Sequence, residues 1–232
     1  MTEANIRNAK TALTITTVLT LFVAGFEVLM AMLCYKEGMN IFDLASWSTA
    51  NMNAYCMILI IANLVLLSFA VLLYKQNGIS LLREVTVKQS LVKDILIGAA
   101  ALAATLIIAL GYSFVYTAGR TDLAYNGNDL SVGTVIMRII ALGFVSGVFK
   151  EIYFRGFAKC FVGKILGETK ALLLFNVLFG LLDWYNFGYS FIVGLIWIFV
   201  YKKNGHLLPC MIAHGGMNIV GVVFALITGG AV

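Results

Sequence analysis

The feature that most constrains this chain is a series of apolar segments, each close to the roughly 20 residues that a helix needs to cross a bilayer. Apolar and polar residues do not alternate within them, as they would in membrane strands. The predicted fold class is therefore all-α, an integral membrane bundle of about seven transmembrane helices. The predicted spans are residues 11–34, 54–74 and 95–118, a long fourth segment from 132 towards 161, segments beginning at 171 and 188, and residues 207–227.

Composition excludes a soluble domain. Of 232 residues, 61% are hydrophobic and 12% are charged, against about 45–50% and about 25% in ordinary soluble domains. A soluble fold of this size could not cover so much apolar surface, because much of a small protein touches water. We find no repeat and no linker, so residues 1–232 are expected to form a single transmembrane domain. The first segment is too long for the apolar core of a signal peptide and is expected to remain as an anchor.

The basic residues predict the orientation of the chain. The net charge of +5 does not indicate a nucleic-acid partner, because the basic residues lie in short segments between the spans. The segments around 75–93, 159–170 and 202–203 are basic, whereas 36–43 and 120–129 are balanced or slightly acidic. The positive-inside rule then predicts a cytoplasmic N-terminus and, after seven crossings, an external C-terminus. The expected location is a prokaryotic cell membrane, with the lipid bilayer as a partner.

Ionisable residues interrupt the apolar segments of the second half. Such residues are costly in a bilayer and are functional candidates. A helical hairpin near Gly167 would bring the fourth and fifth segments to similar depth, and residues four apart share a helix face. We therefore predict one polar site, although an internal ion pair and simple interhelical hydrogen bonds remain open as alternatives. Its candidate residues are Lys150, Glu151, Arg155, Asp183, His214 and Asn218.

Three motifs carry a family resemblance. They read Lys150-Glu151-x-x-x-Arg155, Phe179-x-x-x-Asp183 and His214-x-x-x-Asn218. Their order and spacing resemble Glu-Glu-x-x-x-Arg, Phe-x-x-x-His and His-x-x-x-Asn of the CPBP intramembrane endopeptidases, also called the CAAX-protease or Abi family. The resemblance covers about residues 132–223. It implies a helical membrane fold that hydrolyses peptide bonds in membrane-associated substrates; some bacterial members are linked to bacteriocin maturation and self-immunity.

The sequence departs from this family at two positions. The resemblance implies that a glutamate at position 150 and a histidine at position 183 would activate the attacking water, but this chain has Lys150 and Asp183. A lysine accepts a proton only when neutral, and a nearby carboxylate favours its charged form. We therefore predict a Lys150–Asp183 ion pair. A double replacement of this kind avoids the unpaired buried charge that either single replacement would leave.

Two classes of function remain open at this stage. In the first, the chain is a peptidase in which Glu151 replaces the lost base, and the resemblance implies that His214 and Asn218 stabilise the oxyanion. In the second, it is a pseudoenzyme that acts as a membrane scaffold, a partner-binding protein or a self-immunity protein. A dyad of Ser146 with Lys150 is a further alternative. No cofactor or metal is expected, since the two histidines and four cysteines lack metal-ligand spacing.

Overall fold

A computed structural model of the chain describes residues 49–117, 131–182 and 188–227, together with residues 10, 11, 13–15, 17–22, 25 and 29. Within these residues every regular element is a helix, which confirms the all-α prediction. A 3₁₀ turn, Lys88–Ser90, precedes the helix that begins at Leu91. The helices are α1 (Thr49–Gln76), α2 (Leu81–Val85), α3 (Leu91–Thr117), α4 (Val132–Leu166), α5 (Glu168–Leu182), α6 (Tyr189–Asn204) and α7 (Leu208–Ile227).

Three segments of the described chain are helical, long and apolar enough to cross a membrane: Asn53–Gln76, Leu81–Tyr112 and Val132–Leu166. Helices α5 and α6 contain 15 and 16 residues. At 1.5 Å per residue they rise about 22–24 Å, which is less than the roughly 30 Å of a hydrocarbon core. The structure therefore gives three of the predicted spans their full length. Most of the first predicted span, 11–34, lies outside the described residues.

The outer surface of the helices is apolar. Phe114 is 77% exposed, Ile107 is 70% exposed and Val132 is 76% exposed. Contiguous apolar surface of this kind is rare on soluble monomers. In a membrane such a surface faces lipid, where its exposure carries no free-energy penalty.

Helix α4 is one continuous element of 35 residues. Two stretches of it are π-helical, Ile139–Phe149 and Ile152–Val162, and Lys150 and Glu151 lie between them. π-Helical turns occur frequently at functional sites. The helix ends at Gly167, whose φ of +81° favours glycine. As predicted, the chain reverses there into α5.

Helix packing brings the second half of the chain together. Helix α7 packs against both α3 and the first half of α4, while the second half of α4 packs on α5 and α5 packs on α6. At the contact between α4 and α7, a Cβ on Gly147 would collide with the Cα of Gly215. The two backbones approach closely because both residues lack a side chain, a common device in membrane bundles. This contact sets the distance between the polar residues on α4 and α7.

The core beside these helices is largely aromatic. Three rings along α4 stack on one another, and three rings of α4 meet rings on α5 in tilted or edge-to-face contacts. Stacked and edge-to-face arrangements are favourable geometries for aromatic pairs. They fix the rotation of α4 about its axis, and therefore the side on which its charged residues lie. The rings belong to Tyr153, Phe154, Phe157 and Phe161 of α4, and to Phe175 and Phe179 of α5.

Candidate functional site

Glu151 lies at the centre of a buried polar network. Its side chain is fully buried, and its Oε1 accepts a hydrogen bond of 3.1 Å from Arg155 Nη1. The same oxygen lies 2.7 Å from Nδ1 of His214 on α7. Glu151 and Arg155 share a helix face, as their four-residue spacing predicts. The network therefore joins α4 to α7 through a single carboxylate oxygen.

The contact of His214 with Glu151 decides how the imidazole is protonated. An ionised carboxylate only accepts hydrogen bonds, so Nδ1 of His214 carries the hydrogen and donates it. In the neutral ring, Nε2 is then left as an acceptor. The ring is held by stacking on Trp197, with centroids 4.5 Å apart, and by an edge contact with Phe179 at 5.5 Å. Its position is thus fixed by neighbours on α4, α5 and α6.

Arg155 carries the network towards α5 and α6. Its Nη2 donates to Asn176 Oδ1 at 3.1 Å, and Asn176 Nδ2 donates to the backbone oxygen of Phe191 at 2.9 Å. The guanidinium also lies over the Phe179 ring, 4.2 Å from its centroid. An aromatic face stabilises a desolvated cation. Sequence reasoning missed Asn176, although a buried amide within an apolar helix was the signal that could have identified it.

A cavity of about 70 Å³ adjoins this network. At roughly 10–15 Å³ for each water position, it has room for several waters. Helices α4 to α7 all contribute polar or aromatic side chains to its wall. These side chains include Ser146, Lys150, Phe179, Trp197, His214 and Asn218.

Lys150 forms part of the cavity wall, whereas Glu151 does not. Both side chains are buried, with exposed fractions of 3% and 0%. The Nζ of Lys150 lies 5.7 Å from the centroid of the Phe179 ring. The predicted partner of Lys150, Asp183, lies outside the described residues. The predicted Lys150–Asp183 ion pair therefore stays a prediction.

Asn218 has a structural contact of its own. Its Nδ2 donates to the backbone oxygen of Leu142 at 2.7 Å. Leu142 belongs to the first π-helical stretch of α4. Asn218 thus ties α7 to α4 one helical turn beyond His214, while it also lines the cavity. The interhelical hydrogen bond that was one expectation for this residue is present.

A second buried carboxylate lies at one end of the bundle and was not predicted as a site. Asp94 is fully buried. It accepts hydrogen bonds from the Thr86 hydroxyl and from Asn204 Nδ2, the latter at 2.7 Å. Its Oδ2 lies 3.1 Å from Nδ1 of His206. Within the described residues, neither carboxylate belongs to a group of three or more His, Cys, Asp or Glu placed to hold a metal ion.

Comparison with known proteins supports the resemblance in the sequence. Residues 132–220 match the family model described as type II CAAX prenyl endopeptidase Rce1-like. The matched region runs from the start of α4 into α7 and contains the whole Glu151 network. Neither the curated proteins nor the solved structures give a match.

Proposed function

We propose, because residues 132–220 match the type II CAAX prenyl endopeptidase Rce1-like model, that this chain is a pseudoprotease of the CPBP (CAAX-protease) family that binds membrane-associated peptides or proteins without cleaving them. Scaffold and self-immunity roles fall within this class. The single observation that carries the proposal is the composition of the cavity wall. Lys150 lies on that wall, at the position where the family has its base, and the neighbouring carboxylate does not.

The chemistry of hydrolysis explains why this matters. A general base must reach the attacking water and accept its proton. Glu151 is fully buried, lies off the cavity wall and is bound by Arg155 and His214. Its carboxylate is therefore committed to holding α4 against α7. Lys150 would have to lose its proton to act as a base, and the proposed partner Asp183 would favour its ammonium form.

The ion pair between Lys150 and Asp183 is part of this proposal. By the helical rise on either side of Gly167, Asp183 is expected at the depth of Lys150. A salt bridge there would fix α4 to α5 and neutralise both charges. An experimental structure that separates Lys150 Nζ from the Asp183 carboxylate by more than 4 Å would contradict it.

The membrane topology is proposed on the same basis. We propose about seven crossings, with the N-terminus in the cytoplasm and the C-terminus outside, because the basic loops all fall on one side of such a path. The short helices α5 and α6 would then cross only with the help of their flanking residues or a thinner local bilayer. Cysteine labelling from each side of the membrane tests this, and residues 36–43 should be reached only from outside.

A second candidate, an intramembrane endopeptidase, is favoured by the contact between Glu151 and His214. Because Glu151 holds the hydrogen on Nδ1, the neutral ring has a free lone pair on Nε2. In this mechanism His214 takes a proton from water in the cavity, the resulting hydroxide attacks a peptide carbonyl, and Glu151 stabilises the imidazolium, as the orienting carboxylate does in serine protease triads. The imidazolium then gives that proton to the leaving amine as the C–N bond breaks. His214 would then be the base, and Asn218 alone would remain as an oxyanion donor.

A cleavage assay separates the two candidates. The full chain in liposomes is incubated with membrane-associated peptides, prenylated and unprenylated, and products are identified by mass spectrometry. A pseudoprotease gives no product from the wild type, and Glu151→Gln and His214→Ala change nothing. Product from the wild type that disappears in His214→Ala, with the variant still folded, would overturn our proposal and establish the endopeptidase.

Binding needs its own positive test. A photo-crosslinking amino acid in place of Met217, on the cavity wall, should capture one of these peptides in a saturable manner. The matched control places the same amino acid at Phe224, further along α7 and 48% exposed, where only non-saturable capture is expected. Equal capture at both positions would contradict binding in the cavity.

A further inference from the structure

One end of the bundle gathers three connections of the chain. The backbone N–H of Leu207 donates to the backbone oxygen of Glu84 at 2.8 Å. The Tyr201 hydroxyl donates to Glu84 Oε2 at 3.1 Å. Lys202 Nζ donates to Thr169 Oγ1 at 2.7 Å. These contacts hold the α1–α3, α4–α5 and α6–α7 connections against one another, and we call the surface they form the basic end.

The exposed charge of the basic end is strongly positive. Most of its acidic side chains form contacts inside the bundle, since Asp94 is fully buried and Glu84 accepts a hydrogen bond from Tyr201. Among the described residues of this end, Glu168 is the one exposed acid. The exposed basic side chains include Lys75, Arg83, Lys88, Lys93, Lys202 and Lys203. A partner for this surface must therefore be anionic.

The same surface also exposes apolar side chains beside its charges. Leu82 is 80% exposed next to Arg83, and Val92 is 71% exposed next to Lys93. Basic residues interleaved with exposed aliphatic ones are typical of a segment that lies in the interface of a membrane. On α6, Lys203 Nζ lies 4.8 Å from the Phe199 ring centroid. That geometry suits a lysine whose stem follows an apolar surface while its charge reaches the headgroups.

We propose that the basic end binds anionic phospholipid headgroups in preference to zwitterionic ones, through residues 81–93 and the C-terminus of α6. The lysines and Arg83 contact the phosphates, and Leu82 and Val92 enter the acyl region. A soluble acidic partner fits less well, because it would leave these two side chains in water. The proposal does not depend on whether the central cavity binds or cleaves a peptide.

Lipid association measures this directly. The full chain is placed in phosphatidylcholine vesicles that contain spin-labelled phosphatidylglycerol or, separately, spin-labelled phosphatidylcholine. The ratio of the two association constants should clearly exceed one at low salt and fall towards one in 1 M salt, because salt screens exposed charges. A ratio of one for the wild type at low salt would overturn the proposal without any variant.

Variants locate the surface. Basic residues near an anionic membrane each contribute about fivefold to association. The triple variant Arg83→Gln, Lys88→Gln, Lys93→Gln should therefore bring the ratio close to one, the value for no headgroup preference. Its matched control, Lys36→Gln with Arg120→Gln, removes charges from the loops predicted to lie on the other side and should leave the ratio unchanged. The reverse pattern would place the anionic lipid elsewhere and contradict the proposal.

A competition experiment distinguishes a lipid from a soluble partner. If a hexaglutamate peptide at low salt displaced the spin-labelled phosphatidylglycerol from the wild type as fully as unlabelled phosphatidylglycerol does, the surface would be a protein-binding site instead. We expect displacement only by the lipid. Replacing Leu82 and Val92 with serine should lower lipid association while all the charges remain.

Discussion

The two buried carboxylates among the described residues each contact a histidine but have different surroundings. Glu151 contacts Nδ1 of His214 at 2.7 Å, and Asp94 contacts Nδ1 of His206 at 3.1 Å. Both carboxylates are fully buried. A carboxylate that orients a histidine is a familiar part of catalytic sites. Here the same pair occurs twice, so the pair alone cannot indicate catalysis.

The difference lies in what else contacts each carboxylate. Both oxygens of Asp94 accept hydrogen bonds, from hydroxyl and amide groups of the connections that Asp94 joins. Glu151 concentrates its contacts on Oε1, and its second oxygen has no hydrogen-bond partner within the described residues. Buried polar groups are normally satisfied, so an unsatisfied one needs an explanation. The fully satisfied carboxylate fastens loops, and the incompletely satisfied one belongs to the network that adjoins the cavity without itself lining it.

The two regions also differ in the charge of the groups that contact the carboxylate. Glu151 faces a guanidinium that is itself buried, whereas the hydroxyl and amide donors that bind Asp94 are neutral. A buried ion pair that loses one member leaves an uncompensated charge, which is more expensive than a lost neutral hydrogen bond. The Glu151 network should therefore be the more sensitive of the two to substitution.

The largest effect is expected for Glu151→Leu. It leaves the Arg155 guanidinium buried without its carboxylate, and we expect a loss of about 3–5 kcal/mol in the free energy of unfolding. Denaturant unfolding in detergent micelles measures it. The double variant Glu151→Leu, Arg155→Leu removes both charges and should be less destabilised than the single variant. A single variant as stable as the wild type would show that the pair is not buried.

Asp94→Ala should have the next largest effect. It removes the acceptor of several partly buried hydrogen bonds, and hydrogen bonds to charged groups contribute about 1.5–3 kcal/mol each. Because water at the end of the bundle can replace some of these hydrogen bonds, we expect a loss of about 2–3 kcal/mol in the free energy of unfolding. Glu168→Gln, at an exposed acid of the same end, is the control and should stay within about 0.5 kcal/mol. Equal effects of Glu151→Leu and Asp94→Ala would remove the contrast drawn between the two regions.

Gly147→Ala tests whether close helix packing maintains the Glu151–His214 contact. The added methyl group would collide with Gly215 and push α4 away from α7. Overpacking of this kind costs about 1–3 kcal/mol. Gly111→Ala is the matched control in α3, because nothing lies within 4 Å of its added Cβ. The Gly147 variant should be destabilised in unfolding experiments and the Gly111 variant should not; destabilisation of both would point to a general effect of the substitution.

Much of the α4–α7 arrangement could be predicted from the sequence because its signals are local. Gly167 follows a long apolar segment and marks the reversal between α4 and α5, and the four-residue spacing of Glu151 and Arg155 predicts their shared face. The meeting of Glu151 with His214, 63 residues apart, followed from the shared depth of polar residues on different helices. The motifs of the family resemblance pointed to the same residues.

The rest depends on contacts that leave no local pattern. Helix α2 has five residues, too few to be stable alone, and it is held by the bond between Glu84 and Leu207. The pairing of Asp94 with His206 joins residues that are 112 apart, one in the first turn of α3 and one in the α6–α7 connection, where polar residues are ordinary. The π-helical character of α4 has no signal in its composition. Such features arise only after the helices have packed.

The smallest effect is expected for His206→Ala, which tests the difference between the two carboxylate–histidine pairs. The side chain of His206 is 20% exposed, and Asp94 keeps its bonds from Thr86 and Asn204, so the loss should be about 1 kcal/mol. His214→Ala should cost more, because His214 is buried between aromatic rings and its removal also opens a space against Trp197. Thermal unfolding of the two variants side by side measures this difference. If His206→Ala proved as damaging as His214→Ala, the bundle end would be as essential to the fold as the central network, and the division into a fastening carboxylate and a cavity-side carboxylate would fail.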